Sequence, residues 1–171
     1  MKIIGFAGWS GAGKTTLLTA LIPELAGRGL KVSTLKHAHH RFEIDHPGKD
    51  SHSHRMAGAS EVLVSSANRY ALVRELRGEA ERTLPELLAL LSPVDLVLVE
   101  GFKREKHPKI EVFRSANRKP LLYPDDSMIR AVATDLPLPD CALPQAGLND
   151  IAAIADHAMA AAMPVAAIFP R

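Results

Sequence analysis

Gly8-Trp9-Ser10-Gly11-Ala12-Gly13-Lys14-Thr15 decides the reading of this chain, because it fills the phosphate-loop pattern G-x-x-x-x-G-K-[ST] without a gap. Its flanks agree with that pattern. Ile3-Ile4-Gly5-Phe6-Ala7 is a short apolar run with the length of a buried strand. Beyond the loop, Leu17, Leu18, Leu21, Ile22 and Leu25 recur at helical spacing, so a helix opens near Lys14. Glycines at these positions let the backbone turn its N–H groups inward around an anion, and the positive end of the new helix points at the same place. The predicted nucleotide-binding residues are Gly8, Ser10, Gly11, Ala12, Gly13, Lys14, Thr15 and Thr16. Lys14 reaches the outer phosphates and stabilises charge on them, and the Thr15 hydroxyl holds Mg²⁺.

Working outward, Gly27 and Gly29 close the first helix and Leu30 to Leu35 forms a second strand. Strand, helix and strand at this spacing imply a right-handed crossover and a parallel sheet. Asp95-Leu96-Val97-Leu98-Val99-Glu100-Gly101 is the second informative stretch, for four apolar residues in a row mark a strand covered on both faces. Glu100 ends that strand at the edge where open α/β sheets bind ligands. A carboxylate there is placed like a Walker B acid, so Glu100 joins Lys14 as a catalytic candidate and Thr15 as a metal candidate. Asp45 is a third metal candidate, because phosphate-bound Mg²⁺ recruits carboxylates from the protein.

Six of the eight histidines fall between positions 37 and 54, a density that raises the possibility of a metal site. The closely spaced cysteine pairs of a structural zinc site are missing, and the plainer expectation is a polar loop near the phosphates. Ser51 is read as the cap of a short helix through Met56 to Ala59. Glu61–Ser66 and Tyr70–Val73 give a hairpin signal around Ala67-Asn68-Arg69, and Glu79–Leu91 has an amphipathic helical pattern with Pro85 suited to a first turn. Lys103 to Lys109 is a basic loop, either a solvated turn or a docking site for a phosphate-bearing ligand or partner. Ile110–Phe113 and Ile129–Ala133 supply two more strands, Thr134-Asp135 ends the second of them at the ligand edge, and Asn149-Asp150 caps a last helix. The Ala-rich tail from Ile151 to Ile168 reads as a packed helix.

The fold expected is therefore a three-layer α/β phosphate-loop NTPase fold with a mostly parallel sheet and a central β-hairpin extension. Its 171 residues are expected to form a single domain, 1–171, with a hairpin arm at about 60–75. A net charge of +2 is too small to imply a nucleic-acid surface. One cysteine, Cys141, allows no internal disulfide, and no apolar run approaches the roughly 20 residues that span a bilayer. A cytoplasmic protein without nucleic-acid or membrane partners is expected.

With these residues in view, the chain resembles the MobB family, the molybdopterin-guanine dinucleotide biosynthesis proteins B. The resemblance runs over nearly the whole length and rests on several blocks besides the phosphate loop with Thr15-Thr16-Leu17. These are Leu35-Lys36-His37, Asp45 leading to Gly48-Lys49-Asp50-Ser51, Ala57-Gly58-Ala59, Asp95 to Lys103, Pro108 to Val112, and Leu148-Asn149-Asp150. It implies a homodimeric GTP-binding protein with weak GTPase activity that uses Mg²⁺. Such a protein assists the attachment of GMP to molybdopterin in molybdenum cofactor maturation, together with a protein partner. Weak turnover suits a sequence in which no residue stands out as a general base. Wider relatives carry an extra lysine near the start of the loop, and Trp9 occupies that place here. Two other readings come from similar phosphate-loop proteins. The histidine cluster is compatible with a nickel-type metallochaperone GTPase, although the cysteine-based metal motif of that group is missing. The strand ending in Glu-Gly is similar to that of dethiobiotin synthetase, an ATP-dependent small-molecule enzyme.

Overall fold

A computed structural model describes residues 1–38 and 42–170. The chain divides into two compact units, Met1–His37 with Leu84–Arg171, and Ala38–Thr83. In chain order the first unit begins with β1 (Lys2–Ala7), α1 (Lys14–Gly27) and β2 (Val32–Lys36). The second unit holds α2 (Asp50–Met56), β3 (Glu61–Ser65) and β4 (Tyr70–Arg74). The chain then returns to the first unit through α3 (Leu84–Ala89), β5 (Leu96–Glu100), β6 (Lys109–Phe113), β7 (Ile129–Thr134) and β8 (Gln145–Gly147). It finishes with α4 (Ile151–Ala161), β9 (Met163–Pro164) and α5 (Val165–Ile168).

The first unit is a three-layer α/β structure. Its strands run in the order β2-β5-β1-β6-β7-β8, all parallel, and β9 adds a short antiparallel pairing to the start of β1. Alternation along the central strands assigns the two faces. Ile4 and Phe6 of β1, with Leu96 and Leu98 of β5, pack beneath Leu17, Leu18, Leu21 and Leu25 of α1 and Ile154, Ala155 and Ala158 of α4. Ile3, Val97 and Val99 point the other way, against Leu84 and Leu88 of α3 and the apolar side of α5. Burial of each such leucine contributes about 1.5–3 kcal/mol, and this is what turns an apolar run into a central strand. The strand order reverses at β1, whose neighbours are β5 and β6, so the crevice at its carboxyl end is a natural ligand site.

Several boundaries differ from those expected. The helix expected after Ser51 starts at Asp50, an acid in its first turn, and ends at Met56. The amphipathic stretch from Glu79 is helical only over Leu84–Ala89. Glu79 instead accepts from Arg74 at the end of the hairpin, and Pro85 sits in the first turn where its missing N–H costs nothing. The Ala-rich tail is not one helix. Ala162 turns extended, Met163 and Pro164 pair with Ile3 and Lys2, and a single further turn follows. No helix of the described residues is long and apolar enough to cross a membrane.

Polar groups are also buried beneath β6. Lys109 donates to the Glu105 carbonyl at 2.8 Å and to Asp126 at 3.0 Å, and Glu111 accepts the amides of Leu122 and Tyr123 at 2.8 and 2.9 Å. His107 is fully buried, and neither ring nitrogen has a hydrogen-bond partner among the described residues. Burial first, and then the Lys109 ammonium, push its pKa down to about 4, with Asp126 opposing. The unfolded chain thus takes up a proton near pH 6.5 that the folded state refuses until about pH 4. Stability is therefore predicted to fall by up to about 3 kcal/mol as pH drops through that window. Urea titrations at pH 7 and pH 4.5 test this, and His107→Leu should flatten the difference.

Candidate functional site

The site is assembled by the first unit around the carboxyl end of β1. Gly8 follows the strand directly, and a Cβ placed there would run into the Val112 carbonyl of neighbouring β6. Only glycine allows that approach, and its φ of 154° lies outside the usual range of other residues. The loop then closes with Ala12 N–H donating to the Trp9 carbonyl at 3.1 Å. Gly13, at φ 92° and ψ 17°, is the cap residue of α1, and no side chain caps that helix. Its first turn also contains no acid, whereas Asp150 at the start of α4 accepts from Ala153 N–H at 3.1 Å. The α1 N-terminus is thus left with free donors and an uncompensated positive dipole facing the glycine loop.

Lys14 lies across this loop. Its Nζ donates to the carbonyls of Gly8 at 3.0 Å and Trp9 at 3.1 Å. Partial burial lowers its pKa, the Glu100 carboxylate opposes that shift, and Lys103 and Lys36 add to it. Glu100 arrives by register. Parallel pairing sets it opposite Phe6 of β1 and opposite Lys36 of β2. It shares the face of Leu96 and Leu98, the face that α1 covers. The Thr15 hydroxyl donates to Glu100 Oε1 at 3.5 Å, and Lys36 Nζ lies 3.4 Å from Oε2. The chain leaves β5 through Gly101, where a Cβ would sit 2.6 Å from that of His37.

A second set of contacts fastens the segment after β6 to the outside of the loop. Trp9 Nε1 donates to the Pro120 carbonyl at 2.8 Å, and Asn117 Nδ2 donates to the Ser10 carbonyl at 3.2 Å. Ser115 donates through N–H and hydroxyl to the two oxygens of Asp135, both at 2.9 Å, and the backbone bond is the main reason the Asp135 pKa is lowered. Lys103 and Lys119 lie 5.3 and 5.8 Å from the centre of the Trp9 ring. Trp9, standing where wider relatives of the resembled family have a lysine, thereby gathers two ammonium groups at this end of the loop. Sequence reasoning missed Arg114, Asn117 and Pro120, since nothing local in 114–120 signals a partner more than a hundred residues away.

The structure brings Lys14, Thr15 and Glu100 together. Asp45 belongs to the second unit, where Arg55 contacts both its oxygens, at 2.9 and 3.3 Å, and holds its pKa below the usual carboxylate range. Arg55 also pairs with Glu43 and Glu75. Of the histidine-rich stretch, His39 and His40 lie outside the described residues; among the described residues no three His, Cys, Asp or Glu side chains gather as metal ligands.

The family model of molybdopterin guanine dinucleotide synthesis protein B matches residues 3–135. The chain belongs to that family. It is 45% identical over 160 residues to the molybdopterin-guanine dinucleotide biosynthesis adapter protein of Escherichia coli (strain K12), covering 91% of this chain and 90% of that protein. It is 42% identical over 147 residues to the corresponding adapter protein of Haemophilus influenzae, covering 81% and 77%. Among solved structures, a molybdopterin-guanine biosynthesis protein B superposes with a TM-score of 0.72 at 27% identity, over 92% of this chain and 98% of that one. A MobB homolog from Bacillus stearothermophilus gives 0.67 at 27% identity, over 92% and 95%. The α/β fold, with its mostly parallel sheet, is thus that of the MobB crystal structures.

The loop geometry predicts a contrast between two glycines. Gly8→Ala should cost more than about 2 kcal/mol in urea unfolding, because the new methyl meets backbone at a positive φ. Gly27→Ala meets no atom within 4 Å and should be neutral or stabilising by up to about 1 kcal/mol.

Proposed function

We propose that this chain is a GTP-binding adaptor of molybdopterin guanine dinucleotide synthesis that hydrolyses GTP weakly in the presence of Mg²⁺. The observation that carries the proposal is the uncapped N-terminus of α1, facing Lys14 and lying beside the Thr15–Glu100 pair. Loop amides and Lys14 bind and orient the phosphates, and they stabilise charge that grows on them during hydrolysis. Thr15 Oγ1 and Glu100 Oε1 are hard oxygen donors at an open sheet edge, the kind of set that suits Mg²⁺ bound partly through water. When bound, the metal ion supplies neutralisation of phosphate charge, and Glu100 and Thr15 orient it. Asp45 is proposed as a third ligand, and the second carboxylate, for the same purpose. Kinship with proteins themselves called adapters supports the adaptor role, and with it we propose a protein partner in guanylylation and a cytoplasmic setting.

Nucleotide titrations test this directly. Lys14→Ala is expected to fold normally and to lose GTP binding by at least about 100-fold; an unchanged affinity would overturn the assignment. Glu100→Ala and Asp45→Ala should lower Mg²⁺-dependent hydrolysis by about 10-fold or more, with little effect on binding measured without Mg²⁺. Equal losses with and without the metal would remove both residues from it.

We also propose a homodimer, built on the hairpin of the second unit. Register places Leu63 opposite Leu72 and Ser65 opposite Tyr70 on one face of the ribbon, and Val62 opposite Val73 on the other. Leu63, Leu72 and Tyr70 are 64%, 56% and 72% exposed, while Val62 is buried. Alternation along the two strands puts Val62 and Val73 on the face opposite Leu63, Leu72 and Tyr70, so the proposed contact is made by the exposed face. A two-stranded ribbon is marginal in water, and an apolar face of this kind gains by pairing with a second copy. Sedimentation at micromolar concentration should give about twice 18.5 kDa. Leu63→Glu with Leu72→Glu should return the monomer, and a dimer that survives both changes is built from another surface.

A further inference from the structure

Arg114 is the first residue beyond β6 and so emerges at the same sheet edge as the phosphate loop. Its guanidinium packs over Gly13, the cap residue of α1. A Cβ added at Gly13 would lie 3.4 Å from one terminal nitrogen of Arg114 and 3.8 Å from Nε. The same side chain lines a cavity of about 380 Å³ with Thr134, Asp135, Leu148, Asn149 and Asp150. That volume falls within the range of small-molecule sites, about 300–1,000 Å³. Arg114 therefore stands between the mouth of the phosphate loop and the neighbouring cavity.

The Arg114 side chain is exposed, and no hydrogen bond or ion pair occupies its guanidinium among the described residues. Asp135 in the same wall accepts from Ser115 with both oxygens and feels the Arg114 charge without forming an ion pair with it. Ser115 and Asn117, one and three residues on, are bonded to Asp135 and to the Ser10 carbonyl. A guanidinium with free donors beside an uncapped helix start suits a phosphate group, which it can meet with two parallel N–H bonds.

We propose that Arg114 binds the phosphate nearest the nucleoside of the bound nucleotide, whose base and ribose occupy the cavity between β7 and the start of α4. This rests on the nucleotide-binding reading and adds to it a residue outside the phosphate-loop motif. Lys14, lying across the loop, serves the outer phosphates, so the two cations have different ligands to answer for.

Calorimetric titration of GTP and of GDP into wild type, Arg114→Ala, Arg114→Lys and Lys14→Ala separates the possibilities. Arg114→Ala is expected to weaken GTP and GDP equally, by about 10- to 100-fold, with an unchanged ratio between them. Arg114→Lys should recover part of that loss, and Lys14→Ala should penalise GTP more than GDP. A mere packing role for Arg114 would move the urea midpoint and leave both affinities alone. Should Arg114→Ala fail to fold, Arg114→Gln provides the neutral comparison. If folded Arg114→Ala binds both nucleotides like wild type while Lys14→Ala does not, the Arg114 assignment falls and the nucleotide site stands. A loss confined to GTP overturns it too, because the arginine would then serve the terminal phosphate. If wild type binds neither nucleotide, both readings fall.

Discussion

The register between β1 and β5 is the constraint on which the candidate site depends. Phe6 lies opposite Glu100, and Lys36 lies opposite Glu100 on the other side. A slip of one residue would turn Glu100 to the face covered by α3 and α5, away from Thr15. It would also drive Leu96 and Leu98 out of the core beneath α1. The cost of exposing those leucines, about 1.5–3 kcal/mol each, is therefore what holds a carboxylate at the phosphate loop. Core packing and site geometry are here one property of the sheet.

The charges collected at that edge are unbalanced. Lys36 pairs with Glu100 and Lys14 feels the same carboxylate, while Lys103 and Lys36 act on Lys14 in the same direction as its burial. Lys119 and Lys103 flank Trp9, and Arg114 lies against Gly13. Cations held close to one another in a partly buried site repel, and an anion placed among them removes the repulsion. The segment from Arg114 to Pro120 supports the arrangement from outside the loop, through Trp9, Ser10 and Asp135. Such cross-links fix donor positions before a ligand arrives, which is where electrostatic stabilisation gains its strength.

Features of the sequence that carry a local mechanism were legible. The phosphate loop, the continuous apolar run of β5, the hairpin and the Asp150 cap each have a signal within a few residues, and each forms where expected. The three-residue strand β8 has no periodicity to read, and it forms because Thr134, Val132 and their neighbours offer it a sheet edge. The helix expected from Glu79 starts only at Leu84, because Pro85 fits a first turn and would break a helix that began at Glu79. The Trp9–Pro120 bond spans 111 residues, and a single sequence holds no trace of it. Asp45 was read as a metal candidate, and its pairing with Arg55 had no signal in the sequence.

That pairing bears on how the second unit holds together. Val62 is its one fully buried hydrophobic residue among those described, so apolar burial contributes little there. Arg55, whose side chain is 12% exposed, instead joins Glu43 and Asp45 ahead of α2 to Glu75 just after β4. Three carboxylates share one guanidinium, so the loss of any single acid leaves Arg55 paired twice over, whereas loss of the arginine strands all three. Asp45, 9% exposed and bound through both oxygens, is the most firmly held of the three, whereas Glu43 at 59% is largely solvated. Arg55 fixes the charge of Asp45, and a change of partner would break the most buried ion pair of the unit.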